Sequence, residues 1–300
     1  MQAYLWRLAC LLCVLLCSSA PLQAQIILSA ELDSPNVRHF ADALAQALPL
    51  QNVSYMPRSE LQAQSQFAAD TRLILLGPAL LDWRLQLTHS APATLIMQVS
   101  RVQAHQRLTN QQAQKLTFLW SDPPLERQIV LLKTILAGRK NIGVLYSNHS
   151  AFLLKEIKQA VQAQNLTLHT YYWPDSYDAG SLARLLNKTD VLLGIDDADI
   201  YNPSSIKSIL LSSYARKQAL IGPTAAFIKA GSLASTYSDK DDWLRSLQKL
   251  LTTPSERWPH SFYPEDFKVM LNQQVARSLG IETHQTNDLA EQLKQPRIAP

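Results

Sequence analysis

The feature that most limits how this chain can fold is an alternation of short apolar runs with amphipathic stretches. The runs are Ile26-Ile27-Leu28, Leu73-Ile74-Leu75-Leu76, residues 94–99, Ile142-Gly143-Val144-Leu145-Tyr146, residues 191–195 and residues 219–222. Each is short and apolar at consecutive positions, so it reads as a strand covered on both faces. The stretches between them have helical spacing, most clearly over residues 125–136, 151–164, 179–186 and 204–217. Asp33-Ser34-Pro35 opens the first helix with a capping residue and a proline at a first-turn position. Gly77-Pro78 stops the run that ends at Leu76. Strand–helix repetition implies parallel sheets flanked by helices and joined by right-handed crossovers, an α/β architecture. A chain of 300 residues has room for two such sheets and hence two lobes. The Gln-rich stretch 103–114, ending near Ser121-Asp122-Pro123-Pro124, is the candidate first connection between them.

The first 24 residues stand apart from this rhythm. Arg7 precedes an apolar run over residues 8–16, and Leu22-Gln23-Ala24 offers a small residue at a cleavage position, the arrangement of an export signal. The run is too short to span a bilayer comfortably. All three cysteines, Cys10, Cys13 and Cys17, fall inside it, so the mature chain from Gln25 is expected to hold no disulfide, thiol nucleophile or Cys-bound zinc. An exported protein of this size without disulfides suits a bacterial periplasm. The net charge of +4, from 28 basic and 24 acidic residues, is too small and scattered for nucleic-acid binding. Neither G-x-G-x-x-G nor G-x-x-x-x-G-K-[ST] occurs, and neither G-x-S-x-G nor H-E-x-x-H marks a catalytic site.

In an open α/β sheet, ligands bind at the carboxyl ends of the strands. The loop carrying Glu31 and Ser34 follows the first run, Ser147-Asn148-His149-Ser150 follows Tyr146, and Gly222-Pro223-Thr224 follows Ile221. Hydroxyls, amides and helix-start N–H groups there can hold a carboxylate, although simple helix capping explains the same residues. Asp196-Asp197-Ala198-Asp199 follows the run 191–195 and reads as a cleft loop, a solvated loop or a cation site; residue types alone leave these open. Tyr201, just beyond, is the aromatic residue best placed for a ligand, whereas Trp243 reads as core.

Pro124-Leu125-Glu126-Arg127-Gln128 followed by Asn141-Ile142-Gly143-Val144-Leu145-Tyr146 resembles the opening of the second lobe in ABC-transporter substrate-binding proteins of the tryptophan/tyrosine-binding type. Tyr201-Asn202, Ser205-Ile206-Lys207, the segment 227–235 and the segment 272–281 extend the resemblance in order. It implies the type I periplasmic binding protein fold: two Rossmann-like lobes joined by a three-strand hinge around a cleft. On that basis residues 25–119 plus 233–253 are expected in the first lobe and 120–231 plus 262–281 in the second, with 282–300 a polar tail. The expected contacts are Glu31, Ser34, Gly77 and Arg101 from the first lobe. From the second they are Ser147, Asn148, Asp197, Tyr201 and Thr224. The resemblance implies a periplasmic monomer that captures a small, amino-acid-like metabolite by hinge closure for an ABC importer. Its expected partner is an ABC permease or another inner-membrane protein, with no catalysis, metal or cofactor. An orphan periplasmic sensor signalling to a membrane receptor or kinase is the alternative. The first lobe departs from the family pattern in places, as at Val99-Ser100-Arg101, where members often read Val-x-Asp-Pro.

Overall fold

The computed structural model describes residues 25–87, 91–108, 115–173, 179–282 and 286–294. The expected export signal, residues 1–24, lies outside the described residues. The first sheet contains β1 (Gln25–Ala30), β2 (Asn52–Tyr55), β3 (Arg72–Leu76), β4 (Ala93–Met97), β5 (Leu116–Leu119) and β11 (Ser261–Phe262). Its order is β11-β5-β4-β3-β1-β2 and every pairing is parallel. The second contains β6 (Asn141–Tyr146), β7 (Thr167–Tyr172), β8 (Val191–Leu193), β9 (Ala219–Ile221), β10 (Ala234–Tyr237) and β12 (Lys268–Leu271). Its order is β12-β10-β9-β8-β6-β7, parallel except for the antiparallel edge pair β10–β12.

Consecutive apolar residues are needed because alternate side chains enter different cores. Ile26 and Leu28 pack under α1 (Pro35–Ala47) and α10 (Lys240–Leu251), while Ile27 between them packs with Leu61, Leu80 and Leu81 on the opposite face. Helix α1 begins where Ser34 accepts the Val37 N–H, with Pro35 in its first turn, and buries Phe40, Ala41 and Leu44. The second sheet repeats the scheme. Val144 faces a core closed by α5 (Leu125–Ile135) and α6 (Leu154–Ala163), and Leu145 faces one closed by α7 (Ala179–Leu186) and α8 (Ile206–Tyr214).

The chain passes between the sheets three times: after β5, after β10 and after β11. Four expectations shift accordingly. The first connection is not the Gln-rich stretch but residues 120–124, because residues 116–119 form β5 of the first sheet, paired between β4 and the edge strand β11. Strand β10, grouped with the first lobe in the range 233–253, hydrogen-bonds to β9 and β12 instead; only the helix after it returns to the first lobe. Phe262 pairs with Leu119 in the first sheet, so the range 262–281 changes lobe within itself. The tail is not simply polar: α12 (Thr286–Lys294) places Leu289 and Ala290 in the core of the second lobe.

Gln128, 1% exposed, ties α5 to the strand ends beside the crossovers. Its amide donates to the Gly222 carbonyl at 2.8 Å and the Ser235 hydroxyl at 3.0 Å, and its oxygen accepts the Thr236 N–H at 2.9 Å. Gln128→Leu keeps the volume and leaves buried backbone groups unpaired. The expected loss is about 3 kcal/mol, read as a lower urea midpoint at constant slope.

Candidate functional site

In each lobe the parallel strands end toward the other lobe, and the crossovers close one side of the space between them. There a cavity of about 340 Å³ is lined by residues of both lobes and all three crossovers. Trp120, Trp243, Tyr237 and Tyr263 give it aromatic walls; Gln98, Asp122, Arg127, Thr224 and Ser238 are among its polar groups. The volume lies near the lower end of the ~300–1,000 Å³ typical of small-molecule sites. Gln98, at the exit of β4, holds φ at 57°, a left-handed conformation uncommon for a side-chain-bearing residue and one that concentrates at functional sites. Trp243 is both core and wall: its ring meets Phe40 edge-on at 6.4 Å while lining the cavity.

Of the nine contacts expected from sequence, Thr224 alone lines this cavity. Glu31 turns its carboxylate onto the first turn of α3 (Pro78–Leu85), accepting the Ala79 N–H at 3.1 Å. Gly77 makes room for that: its φ is 105°, and a Cβ there would sit 2.7 Å from the Glu31 Oε2. Ser34 is occupied as the cap of α1. Asp197 is not a solvated loop carboxylate but is 1% exposed, accepting the Ser147 hydroxyl at 2.7 Å and the Asp199 N–H at 3.0 Å. Ser147 is thereby engaged as well, and Asn148 is exposed on the same loop. Tyr201 lies in the core of the second lobe, edge-on to Phe227 at 6.1 Å, with burial pushing its phenol above the ordinary range. Among the described residues no group of three or more His, Cys, Asp or Glu is placed to hold a metal ion.

Arg101 joins the lobes beside the cavity instead of lining it. It stands in α4 (Arg101–His105); its backbone N–H reaches Asp122 Oδ1 at 2.9 Å and its guanidinium reaches Glu156 Oε2 at 2.7 Å on α6. Val102 of the same helix packs in the core of the second lobe, and His105 stacks on Phe152 with ring centroids 4.1 Å apart. Burial, then the Asp122 charge, push the carboxyl of Asp196, from the acidic loop, up to about 6, with Ser100 of the first lobe pulling the other way. Burial raises the Asp122 carboxyl too, against the opposing pull of Arg101.

Sequence reasoning missed the aromatic walls and Arg127 because it looked at strand ends. Trp120, Arg127, Tyr237 and Tyr263 sit in or beside the crossovers, whose mark in the sequence is the proline at Pro123-Pro124 and at Pro264.

Residues 100–288 match the ABC transporter substrate binding protein family, and the chain belongs to it. Three solved structures share the architecture. A Streptococcus pneumonia ABC domain in complex with L-Trp is 16% identical, with a TM-score of 0.56 over 87% of this chain and 95% of its own. A conserved domain protein of Vibrio cholerae is 16% identical, at 0.58 over 89% and 98%. The ligand-free, open form of a Clostridium difficile substrate binding protein with adhesive properties is 14% identical, at 0.64 over 87% and 96%. No curated protein matches the chain. These likenesses fix the type I periplasmic binding protein fold, and the family places the chain among substrate-binding transport proteins. Among the described residues no helix is long and apolar enough to cross a membrane.

Two substitutions test the polar groups at the interlobe face. Asp197→Ala leaves the buried Ser147 hydroxyl without its acceptor, and should lower unfolding free energy by about 2 kcal/mol in urea titrations. Asp196 behaves differently. The folded protein holds its proton more tightly than the unfolded chain does, so its penalty is absent below about 3.8 and fully present above about 6. Asp196→Asn should therefore gain about 2 kcal/mol on its parent at about pH 7.5 and almost nothing at about pH 3.5, measured by the same titrations.

Proposed function

We propose that this chain captures a small metabolite between its lobes by hinge closure and presents it to an ABC importer in the periplasm. The observation that carries the reading is the interlobe cavity, whose walls come from both lobes and from every crossover between them. A solute there touches both bodies at once, so it favours the closed arrangement by the difference in its contacts with the closed and open forms. The size suits a molecule on the scale of an amino acid. A related fold carries L-Trp, and four aromatic side chains here would accept a flat ring. The chain performs no chemistry on what it binds and works as a monomer, meeting an inner-membrane permease with its closed form.

The test is a thermal-shift screen of amino acids, organic acids, nucleosides and small sugars on the chain from Gln25, with small-angle scattering to follow closure. A solute at a hundred times its dissociation constant adds about 2.7 kcal/mol to stability, a rise of roughly 5–10 °C for a protein of this size. Trp120 and Trp243 should report the same compound by a change in intrinsic fluorescence. Trp243→Ala should weaken it at least about tenfold, or about 1.4 kcal/mol. A screen in which no compound shifts melting, fluorescence or the radius of gyration would sink the proposal.

A further inference from the structure

Among the described residues the cavity contains one cation whose charge the protein leaves open. Arg127, in the first turn of α5, lines the cavity half-buried, lies over the Phe267 ring at 4.0 Å, and donates to the Pro264 carbonyl at 3.5 Å, the long limit of a hydrogen bond. A guanidinium has five N–H donors, so most of its capacity is unused. Other arginines near the interlobe face are paired: Arg101 with Asp122 and Glu156, Arg245 with Asp242 and Asp266. Arg84, buried in the first lobe, makes close bonds to Thr94 Oγ1 at 2.7 Å and the Pro92 carbonyl at 3.1 Å. Among the described residues Arg127 has no ion pair. Burial draws its pKa down to about 10, and the Tyr263 phenol lies close by. That phenol's oxygen is itself buried and has no hydrogen-bond partner among the described residues.

The complementary question is what could meet an ammonium group. Asp122 is the acidic residue of the lining, and its two oxygens already face Arg101, one at the backbone N–H at 2.9 Å and one at Nε at 3.4 Å. An ammonium in a cavity this small would also lie close to the Arg127 charge. The remaining walls are apolar rings, with hydroxyls and the Gln98 amide between them. A carboxylate therefore finds a charged fork and a phenol donor, a flat ring finds stacking partners, and an ammonium finds no unspent counter-charge.

We propose that the solute is an aromatic monocarboxylate with no ammonium beside its carboxylate, held through Arg127 with Tyr263 as a second donor. This rests on the solute-capture reading above and narrows its amino-acid-like class: ring and carboxylate are kept, the amine is not. A matched trio separates the alternatives: 3-phenylpropanoate, L-phenylalanine and 2-phenylethylamine, with the indole trio of indole-3-propanoate, L-tryptophan and tryptamine beside it. Titration calorimetry on the chain from Gln25 should show the acids binding at least tenfold more tightly than the amino acids, and the amines not at all. Arg127→Gln should weaken the acids at least tenfold while leaving the melting temperature of the unliganded protein unchanged or raised, since a buried unpaired cation is removed. Arg127→Lys, which keeps the charge, should recover part of the affinity and serves if the glutamine variant does not fold. Amino acids binding as tightly as the acids, or acids binding equally well to Arg127→Gln, overturns the proposal and leaves solute capture standing. Silence from both trios also overturns it; the wider screen then decides whether capture itself survives.

Discussion

In a parallel sheet each strand must be re-entered from the same side, so all strand ends of one kind gather at one edge. This chain meets that constraint twice and then crosses between the sheets three times, which turns the two gathered edges toward each other. The cleft is thus a consequence of connectivity before any side chain is chosen. The apolar runs that build the strands serve both faces at once, as Ile26, Ile27 and Leu28 do.

The lobes touch through contacts that are individually modest. The Arg101–Glu156 pair has a carboxylate 47% exposed, and such pairs contribute about 0–1 kcal/mol. Lys268 of the second lobe reaches Asp239 and Asp242 at the start of α10, again near the surface on the lysine side. Inside these lies a less comfortable group: Asp122 and Asp196 both lose solvent, and the Asp122 charge pushes the Asp196 carboxyl up further. Contacts of this mixture do not lock the lobes together. A solute that binds the closed form better is then able to decide the equilibrium, which is the energetic requirement for a binding protein that must also release.

The strands and the two-lobed plan were legible because burial on both faces leaves a direct mark, an unbroken apolar run. The site was much less so, and the residues show why. Ser34, Glu31 and Asp197 have the right chemistry at the right ends of strands, yet the backbone nearby has N–H groups that need acceptors, and these side chains supply them. A polar residue at a helix start is claimed locally before it is free for a ligand. Trp120, Tyr237 and Tyr263 escaped because crossovers have no period to read, and Trp243 because its amphipathic helix hides a second role. The short β11, of 2 residues, carries no pattern at all, which is why Phe262 was grouped with the wrong lobe.

The position of the aromatic residues also bears on how, in the proposed capture reading, occupancy would become motion. Had the walls come from strand-end loops, a solute would bridge two bodies and influence the hinge indirectly. Here Asp122, Tyr237, Ser238 and Tyr263 lie in or at the ends of the crossovers between the sheets. The second and third crossovers are stitched together by the Ser238 hydroxyl, which donates to the Asp266 carbonyl at 2.8 Å. Under the proposed capture reading, a ring stacked against Tyr237 or Tyr263 would press directly on the crossovers. Binding and closure would then share the same residues, and coupling between them would need no pathway through either lobe.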